Sequence, residues 1–163
     1  MWKIGEHMNG NNPFELSDKE RAAIDRLKTV EECMQFSANM KDHSQLIQAA
    51  NNRVIEIRLA AHACDSEVMK NAWAVLYAYE QVLYLKHGKH IPAHRTRKAI
   101  DRHGMIEAVE IIVSRREIED DGFSRLIAAG MADKTFEALV MNHPQHFSEK
   151  AIRFAQDKIN NRP

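Results

Sequence analysis

Helix breakers are scarce in this chain: six Gly and four Pro are spread over 163 residues. Helices can therefore run long, and a Gly-rich, collagen-like or low-complexity chain is excluded. Cysteine is nearly absent as well. Cys33 and Cys64 have no paired spacing, which argues against a disulfide framework or a Cys-based zinc module and suits a reducing compartment. Long apolar runs are missing too. The longest, Ala72 to Tyr79, is stopped by Glu80 and Gln81, well short of the about 20 residues that a membrane span requires. The N-terminal stretch "MWKIGEHMNGNNPFEL" has neither a basic start nor an apolar core, so no secretory leader is read there. A soluble cytoplasmic protein with no membrane partner is the expectation.

What the chain does contain is 44% hydrophobic and 28% charged residues, the mixture of an ordinary globular domain. At this length it can bury roughly two thirds of the surface its unfolded form exposes. Period-two alternation is essentially absent, whereas helical spacing with start and stop signals recurs throughout. Residues 1–16, with Gly5, Gly10 and Pro13, read as a flexible arm, and 17–163 as one compact all-α domain of eight or nine helices, with a possible soft division at 88–92. Ser17 before Glu20 and Thr29 before Glu32 have capping-box spacing, giving helices of about 18–28 and 30–41. A third opens near Asp42 or Ser44 and runs to about Ala63.

The fourth helix, 66–87, is apolar almost all round, from Val68 and Trp73 to Leu83 and Leu85, and closes on Gly88. That pattern belongs to an element surrounded by others, so this helix should be central. Helices of about 94–103, 105–115, 117–129 and 134–142 follow, the last capped by Asp133. Ser148 opens a final helix, with Phe147 and Ile152 at hydrophobic-staple spacing.

The strongest functional signal is "LKHGKHIPAHRTRKAIDRHG", residues 85–104. It holds six of the 23 Lys and Arg residues and four of the nine His. Lys86, Lys89, Arg95, Arg97, Lys98 and Arg102 stand against the single acid Asp101, a local +5 on a chain whose formal charge is zero. The histidines make a poor metal site, because Pro92 separates His90 from His94 and breaks the helical spacing that would aim both at one ion. No cofactor or metal is implied. If 94–103 is helical, Arg95, Lys98 and Arg102 fall on one stripe, while Thr96, Ala99, Ile100 and His103 turn towards the core. Such a stripe suits phosphate. The segment "RTRKAIDRHGMIEAVEIIVSRR" has a helix-turn-helix outline, but its second helix exposes Glu107 and Glu110, which would repel a nucleic-acid backbone. Contact through the first helix is the better reading.

Glu80 is the other signal, an acid inside the apolar fourth helix on the side of Trp73, Tyr77 and Tyr84. Buried, it needs a partner, for which Arg53 or Arg58 of "NNRVIEIR" is placed. As function it would be a general base or acid with a burial-raised pKa beside the tyrosines; as structure, a salt bridge that fixes helix register. No nucleophile or phosphate loop accompanies it, so no catalytic residue is assigned. The His143-Pro144-Gln145-His146 segment reads as a turn. The leading expectation is an accessory or regulatory protein that binds nucleic acid, or a nucleoprotein complex, through 86–102. The alternative is an interaction module docking an acidic protein or self-associating through acidic stretches such as "EIEDD" (117–121) and "SDKE" (17–20). A small enzyme built on Glu80 with Tyr77 and Tyr84 is the third reading.

Overall fold

The computed structural model describes residues 15–115 and 122–162. Among them are nine α-helices and no strand, so the all-α expectation is met: α1 (Asp18–Asp25), α2 (Val30–Asn39), α3 (Ser44–Ala60), α4 (Glu67–His87), α5 (His94–His103), α6 (Met105–Val113), α7 (Gly122–Ala128), α8 (Phe136–Asn142) and α9 (Glu149–Asn160). The N-terminal arm up to residue 14 and the "EIEDD" stretch lie outside the described residues. Contacts gather in two compact units, Met1–Arg53 and Val54–Pro163, whose boundary falls inside α3. The turn at 88–92 lies within the second.

In the first unit both capping boxes form. Ser17 Oγ accepts from the Glu20 N–H at 3.3 Å while the Ser17 N–H donates to Glu20 at 2.8 Å. Thr29 and Glu32 repeat the exchange at 3.1 and 3.2 Å. Helix α1 stops at Asp25 rather than near 28 because Thr29, as a cap, must be extended (φ −123°, ψ 158°), and the turn into it consumes residues 26–28. Arg53 donates from Nε to the Leu27 carbonyl at 3.1 Å, which ties α3 to that turn.

The second unit is organised around α4. Nine of its residues are buried, including Val68, Ala72, Val75, Leu76 and Ala78. Five of the nine, Val68, Ala72, Ala74, Val75 and Ala78, belong to one core cluster with Met105, Val109, Val113, Leu126, Leu139, Val140 and Phe147. Helices α7 and α8 lie on α4, α9 lies on α8, and α5 folds back on α6. Helix α4 starts at Ser66, whose hydroxyl accepts from the Met69 N–H. It ends at Gly88, which adopts φ 68° and donates its N–H to the Tyr84 carbonyl at 2.8 Å. Gly104 (φ 78°) makes the corresponding turn between α5 and α6. Both conformations strain any residue with a Cβ.

Two boundaries and one side-chain placement need correction. Thr135, not Asp133, caps α8: its hydroxyl accepts from the Ala138 N–H and donates to the Ala132 carbonyl, each at 3.1 Å. Asp133 instead lies in a short 3-10 turn and pairs with Lys134. Helix α6 ends at Val113: the Ser114 N–H still bonds the Glu110 carbonyl, and the Arg115 N–H tightens to three-residue spacing on Ile112. His103 does not turn towards the core; it is exposed at the end of α5 and faces Glu107 at 3.4 Å.

Candidate anion-binding surface and its buried clamp

Pro92 and Ala93 lead into α5, and Ala93 is a cap residue without a side chain able to cap. Glu80, reaching from α4, binds the cap residue's own N–H instead. Its Oε1 accepts the Ala93 N–H at 2.9 Å. The same carboxylate takes a two-pronged contact from Arg97, one turn into α5: Nε to Oε1 at 2.7 Å and Nη2 to Oε2 at 2.9 Å. Arg58 Nη1 stands 3.8 Å and His90 Nε2 3.9 Å from Oε2. Glu80 is 0% exposed, so its charge is desolvated and held by paired donors at the positive end of a helix.

Burial pushes the Glu80 carboxyl up, but the Arg97 hydrogen bonds, the Ala93 N–H and the charges of Arg97 and His90 outweigh it, and its pKa lies below the ordinary carboxylate value. That is the opposite of the burial-raised acid expected for a catalytic role. The Tyr77 hydroxyl is shifted up, chiefly by burial, with the positive charge of Arg97 opposing. It lies 3.2 Å from His62 Nδ1, and the His62 ring packs on Trp73 with centroids 4.1 Å apart. Tyr84 is half-buried and serves α4 through its carbonyl.

This clamp divides the basic segment. Arg97 was expected on the anion-binding surface; it is committed to Glu80, as the main partner that Arg53 or Arg58 was expected to be. Arg95, Lys98 and Arg102 are exposed. At about 100° per residue they share an arc of about 60°, from whose middle Arg97 lies about 130° away. Thr96, Ala99 and Ile100 are half-buried on the inner side. Lys86 and Lys89 are exposed beside Gly88 at the end of α4. Helical phase alone takes Arg97 off the stripe, but its partner had no signal in the sequence. The Ala93 N–H contact had no sequence signal, because it depends on how the 88–93 turn returns the chain to α4.

Among the described residues no group of three or more His, Cys, Asp or Glu side chains converges as metal ligands. His143 and His146 flank a Pro144 turn, with His143 Nε2 3.0 Å from the Asn71 amide. No described helix is long and apolar enough to cross a membrane. A cavity of about 490 Å³ adjoins α4 and α5; Leu76, Leu83, Ala93 and Arg95 contribute to its lining, and Glu80 does not. No family model, curated protein or solved structure matches the chain.

Proposed function

We propose that the protein binds the phosphate backbone of a nucleic acid through the outer face of α5, as a cytoplasmic accessory or regulatory factor rather than as an enzyme. The observation that carries this reading is the arc of Arg95, Lys98 and Arg102, three exposed cations on one helix face while the neighbouring Arg97, half-buried, is bonded to Glu80. Asp101, the one acid on α5, lies about 90° from the middle of that arc.

Support also comes from how the arc is held. The Glu80 clamp fixes the rotation of α5 about its own axis, so the cations are presented without the ordering cost of a mobile segment. Phosphate contacts of this type carry no base information, and sequence-independent binding with a steep salt dependence is expected. The described surface offers little for a hydrophobic interface: among large apolar side chains only Leu85, at 48%, is strongly exposed.

The test is fluorescence anisotropy with labelled duplex and single-stranded DNA and RNA at two salt concentrations. Wild type should bind at low salt and weaken as salt rises. The triple charge reversal of Arg95, Lys98 and Arg102 to Glu should abolish binding while leaving the melting temperature in place. Absence of low-salt binding, or binding indifferent to the reversal, defeats the reading. Complex formation with an acidic protein or a second copy, without nucleic-acid affinity, would instead favour a protein-docking role for the same arc.

A further inference from the structure

We infer that the cavity beside α4 and α5 is a binding site for a small amphiphilic carboxylate, with its apolar chain inside and its anionic head at Arg95. The void of about 490 Å³ falls in the range of pockets that enclose small organic molecules. Its walls are built largely from apolar side chains: Val75, Leu76 and Leu83 from α4, Ile91 from the turn, Phe123 from α7 and Phe136 from α8. This apolar part of the wall favours an apolar occupant, while the rest of the lining, which includes His87, His94, Arg115 and Arg125, is polar or cationic.

Charge sets which amphiphile fits. The one carboxylate among the described lining residues is Glu137, and it is already engaged: Lys158 Nζ lies 3.0 Å from its Oε1, and the pair is nearly dry, at 3% and 9% exposure. A cationic head group would have to break that pair. Arg95 also lines the cavity, yet its side chain is exposed and makes no ion pair with a described residue. An anionic head there gains a charge-assisted hydrogen bond while the chain fills the void. Thr96, half-buried on the next position of α5, adds a hydroxyl to the lining. This site does not rest on the phosphate reading, although Arg95 takes part in both.

Calorimetry with decanoate, decanol and decyltrimethylammonium tests it, the three sharing one chain and differing in head charge. Decanoate should bind one molecule per chain, with the cationic analogue at least about tenfold weaker, and Arg95→Gln should weaken decanoate by about tenfold. Thr96→Phe, which adds bulk to the cavity wall, should abolish binding. Should that variant fail to fold, intermolecular NOEs from the decanoate chain to Leu76, Leu83 and Phe123 locate the ligand in wild type. Arg102→Gln separates the two sites, because it should weaken oligonucleotide binding and leave decanoate untouched. Equal affinity for all three head groups, no decanoate binding below micelle formation, or NOEs to other residues would overturn the inference.

Discussion

Arg95 and Arg97 stand two positions apart on one helix and meet opposite surroundings. Arg97 points inward, where a fully buried carboxylate receives it in two hydrogen bonds. Arg95 is exposed, and no acid among the described residues is paired to it. The two residues have identical chemistry and differ in helical phase and in the acid that the turn before α5 brings to one of them. One arginine holds the helix in place, and the other three cations of α5 are thereby displayed. A local charge of +5 is thus not a uniform field; part of it is spent on architecture, and the remainder defines the surface open to a partner.

The comparison breaks most severely if the inner arginine is removed. Arg97→Ala leaves Glu80 buried without its main partner and should cost about 3–5 kcal/mol, read by chemical denaturation. Arg97→Lys should recover only part of this, since an ammonium cannot make the paired contact. Acid is the next lever. Because the folded pKa of Glu80 lies below its ordinary value of 4.5, its contribution is fully present above that pH and is lost as pH falls through the folded value. Stability followed by thermal melts should fall on acidification in wild type, and less steeply in Glu80→Gln, which starts from lower stability.

A smaller effect is expected at Gly88, where the chain leaves α4 before Glu80 meets it again at Ala93. Its φ of 68° makes Gly88→Ala cost about 1–2 kcal/mol, although nothing lies close enough to collide with the new Cβ. The smallest effect belongs to the outer face. Arg95→Ala, Lys98→Ala and Arg102→Ala should each change stability by no more than about 0.5 kcal/mol. A loss at Arg95 comparable to that at Arg97 would erase the distinction between the two faces.

Much of this was legible in the sequence wherever the deciding interaction is local. Ser17, Thr29, Ser66 and Ser148 mark helix starts because a cap bonds within its own turn. Gly88 and Gly104 mark stops because only glycine accepts their backbone without strain. The apolar surround of α4 announced its central place. The partner of Glu80 was not legible in this way. Arg58 has a suitable spacing in α3, but the stronger contact comes from Arg97, brought in by a turn whose geometry no local rule gives. Thr135 displaced Asp133 as a cap because the intervening residues form a 3-10 turn. The cavity was invisible for the same reason, since its walls are gathered from six helices, α4 to α9, and from Ile91 and Pro92.

The central claim is that one face of α5 is anchored and the other is offered to phosphate. NMR observation of the arginine Nε–H groups during titration with a short oligonucleotide addresses both halves at once. The Arg95 and Arg102 signals should shift with added oligonucleotide and return on adding salt, while the Arg97 signal, bonded to Glu80, should stay in place and exchange slowly with solvent. Arg97 shifting with the oligonucleotide, or Arg95 and Arg102 remaining unmoved at low salt, would contradict the account.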